Sequence, residues 1–172
     1  KRTVYASSVA ALGMPPKGPW KETLYGAYKL ANEHTAFVYW SDWEVPSIGI
    51  RPNIVYGLAR DQGMSSKNTI AIQAAALEKT YDIPYKGKYS WLYAGEAAQA
   101  FISCVSNDMK GSHVFNLNGT CETIEKGLDL IKKIKPNASI SCSGESLPFP
   151  PDLDDTPLRE HIEPYTSISI EK

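Results

Sequence analysis

The order of three short segments limits what this chain can fold into more than any other feature. "RTVYASS", residues 2–8, is a β-rich run that begins almost at residue 1 with no preceding turn or cap. "TLYGAYKLANEHTAFVYWSDW", residues 23–43, carries helical periodicity through Leu24, Ala27, Tyr28, Leu30, Ala31, Ala36 and Phe37, with Thr23 as its cap. "VPSIGIRPNIVYG", residues 45–57, is a buried strand running into a loop, with Ile48, Ile50 and Ile54 as its apolar marks. Strand, helix, strand predicts a parallel sheet, because parallel neighbours need a crossover far longer than a hairpin turn.

The rest of the chain extends that plan. Helices are predicted over 67–79 ("KNTIAIQAAALEK"), 94–107 ("AGEAAQAFISCVSN") and 121–136 ("CETIEKGLDLIKKIKP", ended by Pro136), and a third strand over 111–119 ("GSHVFNLNG"). "YDIPYKGKYSWLY" is strand-like with turns, and Tyr85, Tyr89, Trp91 and Tyr93 in it are expected in the core or at its rim. "GMPPKGPWKE" is a loop, and the Pro-rich acidic tail "SGESLPFPPDLDDTPLREHIEPY" is expected to wrap the surface. A length of 172 residues with 42% hydrophobic residues suits one globular domain.

Charge excludes some partners. With 22% charged residues and a net charge of −1, nothing predicts nucleic-acid or anionic-membrane binding, and no apolar run approaches the roughly 18 residues of a membrane span. The expected location is the cytoplasm. Cys104, Cys121 and Cys142 are odd in number and form no C-x-x-C pair, so they are expected as reduced, packed thiols with no metal.

Tyr25 and Lys29 lie one helical turn apart, near enough for an ammonium to act on a phenol. The spacing alone carries nothing: 10 Tyr and 14 Lys in this length yield about 0.8 such pairs by composition. Taken singly, Ser8 reads as a polar residue bonded to nearby backbone, Tyr25 as a half-buried aromatic, Lys29 as a solvated charge and Arg51 as a structural ion-pair partner. Asn116 and Asn118 read as turn formers. Taken in order, "YASSVAALG" ending a strand, "YGAYKLANE" on a helix and "IGIRPNIVYG" ending the next strand converge at the carboxyl ends of parallel strands, where open α/β sheets bind ligands.

On those three motifs, and on "SHVFNLNG" with the helix after it, the chain resembles the extended short-chain dehydrogenase/reductase family, the NAD-dependent epimerase/dehydratase type. The resemblance implies an α/β fold, a partial Rossmann-type doubly wound parallel sheet with a small C-terminal substrate-binding region. Residues 1–60 would be the C-terminal part of the NAD(P)-binding Rossmann domain, and 61–172 mainly the substrate-binding region, with a returning Rossmann strand near 111–119. Ser8, Tyr25 and Lys29 match the catalytic positions; Tyr25, Lys29, Pro52, Asn53 and Ile54 match cofactor neighbours, the cofactor being NAD or NADP. A phenol is a poor base at neutral pH, so the Lys29 ammonium would favour the phenolate while Ser8 orients the substrate oxygen.

Departures narrow the expectation. No G-x-G-x-x-G or G-x-x-G-x-x-G stands in the sequence, which suggests the C-terminal part of a longer chain whose "TVYAS" strand lacks a neighbour. The Ser8–Tyr25 loop is shorter than the family usually shows, and the end at "TSISIEK" is abrupt. Val9 and Ala10 stand where dehydratases of the family place an acidic pair, which disfavours dehydration. There are only four arginines, of which Arg60 and Arg159 are candidates to hold a substrate carboxylate or phosphate. The expected activity is that of an oxidoreductase or epimerase on a sugar, sugar acid or nucleotide-sugar carbinol, in a possible homodimer. The alternative is a non-catalytic binding or regulatory relative, or an inactive fragment.

Overall fold

Residues 2–13 and 21–171 are described by the computed structural model, so part of the predicted loop between Ser8 and Tyr25 lies outside the described residues. In chain order the elements are β1 (Thr3–Ala6), a 3-10 turn (Val9–Gly13), α1 (Leu24–Trp43), β2 (Ser47–Pro52), β3 (Val55–Tyr56), α2 (Lys67–Ala76), β4 (Tyr81–Ile83), β5 (Lys88–Tyr93), α3 (Ala94–Ser106), β6 (Ser112–Leu117), β7 (Thr120–Thr123), α4 (Ile124–Ile134), β8 (Ile140–Cys142) and α5 (Thr156–His161). β1, β2 and β6 form a parallel sheet in that order, with Val4 opposite Ile48 and Ile48 opposite His113. β3 pairs parallel and β7 antiparallel with β5, and β4 pairs parallel with β8.

Alternation along β2 places helices on both faces of the first sheet. Ile48 and Ile50, fully buried, pack with Leu117, with Ala97, Ala100 and Cys104 of α3, with Leu158 of α5 and with Ile162 just beyond it. Each such isoleucine contributes about 2 kcal/mol by leaving water. Gly49 and Arg51 point to the other face, where α1 lies. A second core joins Ile54, Ala71, Ala75, Ile83, Tyr89, Trp91, Ile124, Leu128 and Ile140 beneath α2 and α4. Tyr85, Tyr89 and Trp91 are core residues and Tyr93 stands at the rim. The three cysteines are free, and burial pushes the Cys104 thiol up to about 11.

Two local expectations change. Cys121–Thr123 belong to β7, and α4 begins only at Ile124, because Thr123 accepts from the Lys126 N–H (3.1 Å) as a helix cap. The tail contains α5 and is preceded by β8, both short elements whose partners are distant in sequence. Of its 20 residues α1 buries only Gly26 and Glu33, leaving Leu24, Tyr28, Phe37, Val38 and Trp43 exposed. Among the described residues no helix is long and apolar enough to cross a membrane.

Candidate active site

The start of α1 is fixed by two contacts that its sequence dictates. Thr23 Oγ1 accepts from the Gly26 N–H at 3.0 Å, and the missing side chain of Gly26 lets the helix settle onto the Val9–Gly13 turn. From there, Tyr25, Lys29 and Glu33 recur at every fourth residue along one face. Lys29 Nζ donates to the Ala6 carbonyl at the end of β1 (2.6 Å) and stands 5.5 Å from the centre of the Tyr25 ring. The ammonium is thus held between a strand end and the phenol. Tyr25 is 56% exposed, so its hydroxyl is accessible to a ligand. Ser8 lies just beyond β1, buried, its Oγ accepting from the Ala10 N–H at 3.2 Å.

The end of β2 is held by a polar network. The Asn53 N–H donates to the Leu117 carbonyl (2.8 Å), and its side-chain amide donates to Asn118 Oδ1 (2.8 Å) and the Pro150 carbonyl (3.0 Å). Asn53 Oδ1 accepts from the Ile54 N–H at 2.9 Å. Asn118 Oδ1 also accepts from Ser90 Oγ, while its amide nitrogen donates to Asp152. Asn118, read from the sequence as a turn former, is the node that ties β2, β5, β6 and the tail together behind the site.

These strand ends and α1 enclose a cleft of about 540 Å³, lined by Ser8, Tyr25, Lys29, Pro52, Asn53, Ile54 and, on the far wall, Arg60 with Gly63, Met64 and Ser65. Seven of the eight predicted site residues therefore meet in one cavity. Arg159 does not line it. Arg159 Nε and Nη2 bond the Asp155 carboxylate (3.0 and 2.7 Å), and its guanidinium stacks 4.9 Å from the Tyr165 ring. Among the described residues, Lys29 and Arg60 are the cations that line the cleft, and no carboxylate lines it. Arg51 is outside it, ion-paired to Glu33 at 2.5 Å. Beneath the Arg60 wall, Tyr89 donates to the Ser65 carbonyl (3.1 Å) from an aromatic series running through Trp91 to Tyr56. Burial raises the Tyr89 phenol well above its ordinary range.

The donor set fits the nicotinamide end of a dinucleotide. One of the three Lys29 N–H bonds is used by Ala6, which leaves two for ribose hydroxyls or a phenolate. The N–H groups of Asn53 and Ile54 are both engaged, so that segment offers apolar surface and main-chain acceptors. Among the described residues no group of three or more His, Cys, Asp or Glu is placed to hold a metal.

Glu33 was not singled out from the sequence, although it continues the four-residue spacing of Tyr25 and Lys29, a signal present in "YGAYKLANE" itself.

Residues 1–117 match the family model described as the NAD dependent epimerase/dehydratase family. No curated protein matches the chain. Among solved structures it is similar to a partial-consensus L-threonine 3-dehydrogenase (TM-score 0.85, 18% identity, 99% of this chain, 62% of the other). It is also similar to L-threonine dehydrogenase from Phytophthora infestans (0.83, 16%, 99% and 62%). A third is UDP-glucuronic acid 4-epimerase from Bacillus cereus in complex with NAD (0.77, 17%, 99% and 58%). At these identities the likeness is one of fold, and the chain spans less than two thirds of each structure's length.

Proposed function

The chain belongs to the NAD-dependent epimerase/dehydratase family, and on that footing we propose that it carries the proton-transfer and substrate-binding residues of an oxidoreductase or epimerase acting on a hydroxylated, anionic, carbohydrate-like small molecule. The observation that carries this reading is the Lys29 ammonium, held on the Ala6 carbonyl beside the Tyr25 ring in a cleft shared with Ser8 and Asn53.

The chemistry NAD supplies when bound is reversible hydride acceptance. Lys29 would hold its ribose, and Pro52, Asn53 and Ile54 would flank the nicotinamide. Ser8 Oγ hydrogen-bonds the substrate oxygen and fixes its lone pairs. Tyr25 takes the hydroxyl proton as the carbinol is oxidised and returns it on reduction. Lys29 sets its positive charge beside the phenol, an interaction that strengthens as ligand excludes water from the cleft. Val9 and Ala10 provide no acid or base beside Ser8, so the reading stops short of dehydration.

Among the described residues the lining holds two cations and no carboxylate, which favours a substrate that bears negative charge. L-Threonine and UDP-glucuronic acid, after which the similar dehydrogenase and epimerase are named, are both hydroxyl-bearing carboxylates. Arg60 is the residue to read that group, through a two-pronged fork. Arg60→Gln is expected to raise KM about tenfold or more with kcat within about twofold, since a charge-assisted hydrogen bond is worth roughly 1.5–3 kcal/mol. Steady-state kinetics of NADH formation with a panel of sugar acids and short hydroxy acids checks this; an unchanged KM removes Arg60 from the substrate site.

In this reading residues 1–60 are the catalytic part of a dinucleotide-binding domain, and 61–172 are mainly the substrate side, with β6 returning to the first sheet. Three free thiols suit the cytoplasm. The exposed apolar side of α1 suits pairing with a second copy.

A further inference from the structure

Glu33 is one of only two residues that α1 buries, and it does not line the cleft. Its Oε1 accepts from Ser7 Oγ and from Arg51 Nε (2.8 Å), and its Oε2 accepts from Arg51 Nη2 (2.5 Å). Burying a carboxylate is costly unless its lone pairs are met, and here a guanidinium fork and a hydroxyl meet them. Each partner adjoins a group of the site. Ser7 precedes Ser8, and its N–H ties β1 to the Ile50 carbonyl of β2 (2.7 Å). Arg51 precedes Pro52 and Asn53, and Glu33 stands one turn beyond Lys29. A single carboxylate therefore fastens together the three elements that carry the site.

We infer that Glu33 is a positioning residue: through Ser7 and Arg51 it sets where Lys29 and Tyr25 stand relative to Ser8, and it touches neither substrate nor cofactor. Among the described residues, the site-bearing half of α1 is also held at the strand ends by the Lys29–Ala6 bond and by the Gly26 contact. Loss of the clamp lets α1 shift, and displacement of reacting groups by about 1 Å is enough to cost on the order of 100-fold in rate. The inference rests on the reading of Ser8, Tyr25 and Lys29 as reacting groups, and the two can fail separately.

The test uses the full-length protein with Glu33→Gln, Glu33→Asp and Ser7→Ala. The first readout needs no turnover: the rate at which an amine-reactive ester acetylates Lys29, followed by peptide mass spectrometry against Lys132 and Lys133 on α4. Glu33→Gln is expected to speed Lys29 labelling several-fold with the reference lysines unchanged. It should also lower kcat about 10- to 100-fold while KM stays within about threefold. Glu33→Asp, which keeps the charge, should recover part of both effects. The inference is overturned if Lys29 labelling rises no more than that of Lys132 and Lys133, or if kcat per folded molecule is unchanged while thermal stability falls. Should Glu33→Gln not fold, Ser7→Ala carries the same readouts with one arm of the clamp removed and the ion pair intact. Absence of NAD-dependent turnover in the unaltered protein would refute the functional reading and leave the labelling comparison to decide the clamp.

Discussion

Tyr25→Phe in the full-length protein lowers turnover about 1,000-fold, within the 10²–10⁴ range that a positioned acid/base contributes. The substitution removes one oxygen and keeps the ring that faces the Lys29 ammonium at 5.5 Å. Tyr25 is more than half exposed and is neither donor nor acceptor in any hydrogen bond found among the described residues, so stability should change by no more than about 0.5 kcal/mol. KM should also change little, because Ser8 and Arg60 still hold the substrate. Tyr28, the neighbouring phenol, points away from Lys29 on the helix and serves as a control: Tyr28→Phe should retain turnover within about twofold. Kinetics of both variants, with thermal melts to confirm folding, separate this account from the bland one, in which Tyr25→Phe behaves like Tyr28→Phe.

The second large effect concerns the fold that holds this phenol in place. A Cβ at Gly26 would lie 2.3 Å from the Ala10 carbonyl oxygen and 3.0 Å from its carbon, both main-chain atoms that no rotamer change can move. Alanine should favour the helix by about 1 kcal/mol over glycine. Overpacking against backbone costs about 3 kcal/mol, so the clash wins and Gly26→Ala is expected to lose about 2 kcal/mol net. Relief requires the start of α1 to move off the Val9–Gly13 turn, which carries Tyr25 away from Ser8. A fall in kcat of at least about tenfold should therefore accompany the loss of stability. Urea denaturation and kinetics check the pair of effects; a Gly26→Ala variant as stable and active as its parent would show that helix and turn do not meet as described.

Much of this was legible in the residues because βαβ order and helical period are local properties. Ser8, Tyr25, Lys29 and Asn53 fell into one cleft because strand ends in a parallel sheet converge whatever the side chains are. What could not be read depends on contacts between distant positions. β8 is three residues long and exists through its register with β4, some 60 residues earlier. The Asn118 node joins Ser90, Asn53 and Asp152, and nothing around "NLNG" announces it. Arg159 is a different case: Asp155 stands four residues before it, the spacing of a helical ion pair, so its engagement was open to view. The apolar spacing of α1 marked the helix, while the face it turns to the sheet is the one bearing Gly26 and Glu33.

The central claim is that the nicotinamide end of NAD lies in the cleft beside Lys29, and a crystal structure of the full-length protein with NAD bound tests it most directly. The account predicts the nicotinamide ring between Ser8 and the Pro52–Ile54 segment, with Lys29 Nζ within hydrogen-bonding distance of the attached ribose and the Tyr25 hydroxyl facing the open side of the ring. A dinucleotide bound elsewhere, or a ring in the cleft with Lys29 still bonded to Ala6 alone, would contradict it.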